Sequence, residues 1–134
     1  MKKHVVKVCF IMCWLGLVIA CSPPFKPDYN IAFGELIFKG NCQNQQVYLM
    51  DVARLQAYED GGSRQDTILI DGITYNHVIR LDSTQSTFLA TRKIHDKLSI
   101  IFLSGPRLML PTCSGIPVGS VETVNVISAE ITDY

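Results

Sequence analysis

The histidines and the acidic residues near them are the side chains of this chain that could perform acid–base chemistry. His95 directly precedes Asp96, and a carboxylate that orients an imidazole is a common arrangement of a general base. Adjacent residues of an extended strand point to opposite faces, so this pair suits a solvated turn better than a catalytic dyad. His77 and Asp71 could join His95 only in a site assembled from dispersed residues. We therefore predict no catalytic residue and no enzyme, and a hydrolase with such a dispersed site is the alternative.

The sequence lacks the motifs of other common reaction centres. Ser104 and Ser114 each precede a glycine, but neither lies in the G-x-S-x-G motif that presents the nucleophile of many hydrolases. The aspartates do not alternate within a twelve-residue calcium loop, no histidine is spaced to share a zinc ion with a cysteine pair, and no glycine-rich phosphate loop occurs. We predict no metal site and no cofactor, and the sequence assigns no ligand-binding residue. The aspartates considered are Asp66, Asp71 and Asp82.

The first twenty residues have the pattern of an export signal. Lys2, Lys3 and Lys7 form a basic head, and residues 8–20 carry no charge. A membrane-spanning helix needs about 20 apolar residues, so this run is too short to cross a bilayer. We predict that residues 1–20 are a signal peptide that is removed from the mature protein.

The end of this segment, Val18-Ile19-Ala20-Cys21, resembles the lipobox of bacterial lipoproteins. In that family the cysteine thiol receives a diacylglycerol, the signal is cut just before it, and the new amine is usually acylated. The resemblance implies that Cys21 carries the lipid, which labelling with palmitate would detect, and that this lipid anchors the protein to a membrane. An ordinary signal peptide with a stray thiol is the alternative. Ser22 stands where an aspartate would resemble an inner-membrane retention signal, which favours the outer membrane of the cell envelope, facing the periplasm.

Removal of the signal peptide changes the charge of the chain. The mature protein has 114 residues and a formal net charge of about −3, because three lysines are lost and all acidic residues follow Cys21. A slightly acidic domain has no general attraction for nucleic acid, so no nucleic-acid partner is expected. Arg92, Lys93 and Lys97 form the densest basic cluster. Such a run usually forms a solvated face, and contact with a lipid headgroup or an anionic polysaccharide is the alternative.

Each of the five cysteines can be assigned a role once the predicted signal peptide is removed. Cys9 and Cys13 leave with it, and Cys21 is consumed by the lipid. Cys42 and Cys113 remain as an even pair in an exported, oxidising compartment, and we predict a disulfide between them. Two free buried thiols are the alternative.

The remaining pattern is that of strands. Residues 21–30 form a proline-rich tether, and residues 31–134 form a single β domain. Strands are predicted at residues 31–39, which end at a Gly40-Asn41 turn, and at residues 46–50. A hairpin with a type I′ turn at Asp71-Gly72 is predicted over residues 67–75, and residues 77–81 extend it.

The second half of the chain continues this pattern. Residues 98–103 are apolar on both faces and predict a central strand, and residues 107–110 predict a short strand. In residues 121–132 the alternation slips, which predicts a bulge near Val126-Ile127. A helix is predicted at residues 52–58, and residues 83–91 suit helix, strand or turn.

This pattern predicts an all-β fold, a small closed or nearly closed barrel, with a β-sandwich as the alternative. The order of motifs resembles small exported lipoproteins of Bacteroidota whose domain is an OB-like barrel. The resemblance departs from that family in a longer insert at residues 53–66, and it implies no particular activity. It rests on residues 34–42 (Gly-Glu-Leu-Ile-Phe-Lys-Gly-Asn-Cys), residues 71–75 (Asp-Gly-Ile-Thr-Tyr), residues 98–102 (Leu-Ser-Ile-Ile-Phe), Cys113 and residues 124–131 (Val-Asn-Val-Ile-Ser-Ala-Glu-Ile).

The function expected from these observations is a non-enzymatic binding or interaction module, anchored in the envelope, with an envelope protein or a glycan as its partner. OB-type barrels bind oligomers across one face. The aromatic residues considered for such a face, with burial in the core as the alternative, are Phe33, Phe38, Tyr48 and Tyr75. A purely structural lipoprotein is the remaining alternative.

Overall fold

A computed structural model describes residues 29–57, 66–83 and 86–133 of this chain. The predicted signal peptide, the lipobox with Cys21 and most of the tether lie outside the described residues. The described elements, in chain order, are β1 (Asn30–Cys42), β2 (Gln45–Ala57), β3 (Ile68–Ile70), β4 (Ile73–Tyr75), β5 (Val78–Ser83), α1 (Ser86–Thr91), β6 (Lys97–Leu103), β7 (Arg107–Met109) and β8 (Ser120–Ile131).

Five of these strands close into a barrel. Their order is β5-β2-β1-β6-β8, and a parallel pairing between β5 and β8 closes the sheet on itself. The other barrel pairings are antiparallel, and α1 connects the third barrel strand to the fourth. This is an OB-like barrel, with β7 added along β8 and β3–β4 as a separate hairpin. The predicted fold class is confirmed, and the alternative of a β-sandwich is wrong.

Register shifts bend the long strands around the barrel. Val126 pairs with Phe102 while Ser128 pairs with Ile101, so Ile127 is the extra residue between two paired positions of β8. The bulge predicted in the last strand is therefore confirmed. A similar shift leaves Ile37 between the paired residues of β1. An extra residue increases the local bend and twist of a strand, which a small barrel needs in order to close.

The barrel interior is a continuous apolar core. Leu89 of α1 is fully buried and packs into this core, so even a helix of six residues contributes a core side chain. Alternation along the strands supplies the rest, because every second side chain of a barrel strand points inward. The core residues are Ala32, Leu36, Tyr48, Met50, Ile79, Leu81, Leu89, Leu98, Ile100, Phe102, Val124 and Val126.

Burial on both faces occurs in β2 and β5, and not in β6 as predicted. In β6 only Leu98, Ile100 and Phe102 are buried, while the residues between them are partly or fully exposed. In β2 all four residues 47–50 are buried. The odd-numbered residues, Val47 and Leu49, face a second apolar cluster that lies outside the barrel.

The predicted helix at residues 52–58 is wrong, because β2 continues to Ala57. Residues 54–57 pair with the first residues of β1, so Ala57 lies opposite Asn30. A segment of about seven residues has little helical stability of its own, and pairing with a neighbouring strand overrides it.

Two tight turns set the hairpins. Asp71 and Gly72 both have positive φ, 50° and 83°, so the predicted type I′ turn is confirmed. The turn predicted at Gly40-Asn41 is wrong, because β1 runs on to Cys42 and the turn falls at Gln43 and Asn44, with φ of 50° and 67°.

Candidate functional site

The outer face of β2 and β5 is covered by the chain itself. Val47, Leu49 and Val78 point outward from these strands and are fully buried. Ile68 and Ile70 of the β3–β4 hairpin pack against them, together with residues of the segment between β7 and β8. The second core (the cluster Ile37, Cys42, Val47, Leu49, Ile68, Ile70, Val78, Leu110, Ile116 and Val121) thus occupies the face of the second and third barrel strands on which OB folds bind oligomers.

A disulfide holds this cover in place. Cys42, the last residue of β1, is bonded to Cys113, with 5.8 Å between their Cα atoms, as the sequence predicts. Both cysteines belong to or pack against the second core. The covalent bond joins the end of the first barrel strand to the connection between the fourth and the fifth.

A buried carboxylate forms a second connection. Asp66 is fully buried, and its carboxylate accepts hydrogen bonds from the guanidinium of Arg107 and from the backbone N–H of Glu122, the latter at 2.7 Å. The backbone carbonyl of Asp66 also accepts from Val78 N–H at 3.0 Å. The residue before the hairpin is therefore attached to β5, β7 and β8. No pattern in the sequence indicates this arrangement, because Asp66 stands in a polar stretch.

The outer edge of β7 is open in the described part of the chain. Leu110 N–H bonds to Gly119 O and Thr123 N–H bonds to Pro106 O, so the even residues of this stretch face β8. Because the bonding direction alternates along a strand, the backbone groups of Arg107 and Met109 point away from β8. No described strand pairs with them.

Apolar side chains flank this open edge. Leu108 is 45% exposed, Met109 is 67% exposed and Val118 is 87% exposed. Met109 pairs with Ser120, two residues from Val118. We call Arg107, Leu108, Met109 and Val118 the β7 edge. It presents unpaired backbone groups beside apolar surface, the combination that accepts an added strand.

The residues considered for acid–base chemistry lie in separate loops. Asp71 is at the tip of the β3–β4 hairpin, and His77 is exposed just before β5. His95 is exposed in the turn before β6, where its imidazole contacts the carboxylate of Glu35. Asp96 accepts from the backbone N–H of Lys93, so it stabilises that same turn.

The basic cluster and the candidate serines have structural surroundings. Arg92 stacks on the ring of Phe88, 4.7 Å from its centroid. Lys93 and Lys97 are exposed. Ser104 accepts a hydrogen bond from the Asn30 amide, and Ser114 is exposed in the turn after Cys113. Lys39 from β1 donates to the backbone carbonyls of Ala90 and Arg92, which holds the end of α1 on the barrel.

The aromatic residues considered for a binding face are mostly in the cores. Tyr48 lies in the barrel interior, and burial raises the pKa of its phenol. Phe38 and Tyr75 pack against the second core. Phe33 is half-buried on the outer surface, with the guanidinium of Arg54 5.5 Å from its ring centroid. Tyr48 is therefore excluded from a binding face.

Within residues 29–57, 66–83 and 86–133 no three of the His, Cys, Asp and Glu side chains are grouped so that they could hold a metal ion. Over the same ranges, no helix has the length and apolar character to cross a bilayer.

Comparison of the chain with models of protein families, with curated proteins and with solved structures finds no match. The fold therefore defines the class, an OB-like barrel whose usual ligand face is covered, and the site residues alone bear on function.

Proposed function

We propose that this protein is a lipid-anchored envelope lipoprotein that acts as a non-enzymatic interaction module. Its membrane attachment is the lipid on Cys21, and its partner is another protein of the envelope. The observation that carries the interaction is the open, apolar β7 edge.

The covered face explains why this edge, and not the usual OB surface, is the proposed contact. In other OB barrels the outward side chains of the second and third barrel strands contact an oligomer. Here the outward side chains of these strands, Val47, Leu49 and Val78, are buried beneath the hairpin. Opening that face would expose the second core to water and strain a segment closed by the Cys42–Cys113 bond. A partner that binds the closed protein must use another surface.

An extended peptide segment is the occupant that the β7 edge favours. Among the described residues the outward N–H and C=O groups of Arg107 and Met109 have no backbone partner, and an added strand supplies one in a geometry that a glycan or a small ligand does not offer. Side chains of the added strand would contact Leu108 and Met109. A three-residue edge forms few hydrogen bonds, so the apolar contacts with exposed side chains contribute much of the affinity.

The anchor is supported by the sequence and by where the barrel begins. The basic head, the short apolar run and the lipobox-like end are those of a lipoprotein signal. The first barrel strand starts at Asn30, nine residues after Cys21. An extended proline-rich tether of that length would hold the domain about 30 Å from the lipid at most.

Site-specific photocrosslinking in cells tests the interaction. A photoreactive phenylalanine analogue replaces Met109 or Val118, and Ile127, an exposed residue on the bulge of β8, serves as the matched control. We expect one protein adduct of the same mass from both edge positions and none from position 127. Equal adducts at all three positions, or none at the edge, would overturn the proposed contact.

The anchor has its own test. We expect the Cys21→Ser variant to lose palmitate labelling and to leave the membrane fraction, whereas Cys42→Ser keeps both. A Cys21→Ser protein that is still acylated would refute the anchor and leave the contact at β7 to be judged by crosslinking alone.

A further inference from the structure

A buried arginine with an unsatisfied guanidinium nitrogen lies on the covered face of the barrel. Arg80 is 7% exposed, and its Nε has no hydrogen-bond partner in the part of the chain that the structure describes. Thr123 is also 7% exposed, and its Oγ1 likewise has no partner. Buried charges in proteins are normally paired, and buried polar atoms are normally hydrogen-bonded. Two such orphans side by side therefore indicate a missing group.

The strand register places these two side chains next to each other. Arg80 lies opposite Thr123 on β8, and opposite Leu49 of the second core on β2. Paired residues on neighbouring strands point to the same face, about 4.8 Å apart. The two orphan atoms do not bond to each other, and both Nε–H and the hydroxyl can donate. An acceptor oxygen between them would satisfy both.

The described acidic side chains do not supply that oxygen. The carboxylate of Asp66 is engaged by Arg107 and by Glu122 N–H. Asp82, two residues further along β5, is exposed and makes no bond with the Arg80 Nε. A bridging water would satisfy the hydrogen bonds but would leave the buried positive charge uncompensated.

We propose that Arg80 and Thr123 form a binding site for a small oxyanion. The guanidinium supplies the compensating charge and the Nε–H donor, and the Thr123 hydroxyl donates a second hydrogen bond to the same group. Because both side chains are more than nine-tenths buried, a ligand that reaches both must be a small group such as phosphate or a carboxylate. This site is independent of the β7 edge.

Inorganic phosphate is the probe, added to the full chain in non-ionic detergent at constant ionic strength set with chloride. We expect the Arg80 Hε–Nε resonance, assigned by its loss in Arg80→Lys, to shift with phosphate along a saturable curve. At a phosphate concentration ten times its Kd, Tm should rise by about 5 °C. In Arg80→Met the Kd should rise at least tenfold, and in the near-isosteric Thr123→Val about fivefold.

The control variant is Arg54→Met, which removes a guanidinium from the exposed part of β2 and should leave the phosphate response unchanged. An equal response in Arg80→Met would overturn the proposal, because the phosphate would then bind elsewhere. A response that appears only after Glu59→Gln and Asp60→Asn are combined would also overturn it. In that case a carboxylate from the chain itself, outside the described residues, is the partner of Arg80.

Discussion

The buried carboxylate of Asp66 is paired with the guanidinium of Arg107, 41 residues further along the chain. Arg107 is the first residue of β7, and the same carboxylate accepts from the backbone of Glu122, the residue opposite Arg107 on β8. The Asp66 side chain thus attaches the segment before the β3–β4 hairpin to both β7 and β8. The cover of the barrel and the proposed contact surface are therefore mechanically connected.

Asp66→Asn tests this connection. The amide keeps one acceptor oxygen and replaces the other with a donor, so either the guanidinium or Glu122 N–H loses its partner. We expect the free energy of unfolding to fall by about 2 kcal/mol, the range for a hydrogen bond to a charged group. Urea denaturation followed by fluorescence measures it.

Asp71→Asn is the matched control for that substitution. Asp71 is exposed and has positive φ in a type I′ turn, where asparagine is equally favoured. Its free energy of unfolding should stay within about 0.5 kcal/mol of the native value. Similar losses in the two variants would mean that the Asp66–Arg107 pair contributes little.

Loss of the disulfide should destabilise the protein strongly. The Cys42–Cys113 bond closes a loop with a sequence separation of 71 residues. In the chain-entropy description such a closure disfavours the unfolded chain by about 4 kcal/mol. We expect that reduction, or the double substitution Cys42→Ala and Cys113→Ala, lowers the free energy of unfolding by about this amount in urea denaturation.

The reductant also provides the control for the disulfide. It should have no effect on the doubly substituted chain, and its effect on the native chain should match that of the substitutions. Free thiols at both positions in alkylation and mass spectrometry of the untreated protein would contradict the bond itself.

The close approach of β1 and β2 at Gly34 leads to a third prediction, on the effect of adding a side chain there. A Cβ at Gly34 would meet the backbone oxygen of Asp51, which cannot move without breaking the ladder. We expect Gly34→Ala to cost about 3 kcal/mol in thermal or urea unfolding. At Gly40, on the same strand, an added Cβ would meet only the side-chain atoms of Ile116 and Phe38, at 2.6 Å and 2.7 Å, and these can shift.

Gly40→Ala should therefore be less destabilising than Gly34→Ala. The reverse order would show that the backbone contact at Gly34 relaxes more easily than the side-chain contacts at Gly40.

Local patterns in the sequence were sufficient for much of the fold. The phase slip at Val126-Ile127 predicted the bulge, and Asp71-Gly72 predicted its turn, because each depends on neighbouring residues. The pairing of Cys42 with Cys113 followed from counting the cysteines that would remain if the predicted signal peptide were removed and Cys21 were lipidated. These features need no knowledge of distant strands.

Features that depend on distant strands could not be predicted in this way. The helix expected at residues 52–58 is a strand because β1 supplies its partner. The burial of Tyr48 depends on closure of the barrel, and the burial of Asp66 depends on β7 and β8 packing over it. Arg80 offered a weak signal, a charged residue inside the apolar run of residues 78–81, but its burial comes from the second core.

Tyr48 should make the protein sensitive to alkaline pH. Burial raises the pKa of its phenol above the ordinary value of 10.0, so between the unfolded and folded pKa values the native state binds more protons than the unfolded state. Stability then falls as the pH rises through this window, and the contribution is fully present below the unfolded pKa.

Urea midpoints at pH 8 and pH 11 should differ less in Tyr48→Phe than in the native chain. Tyr75→Phe, at a half-buried position on the second core, should retain the native difference. If Tyr48→Phe lost as much stability at high pH as the native protein does, the alkaline sensitivity would arise from other groups, and burial would not raise the pKa of this phenol.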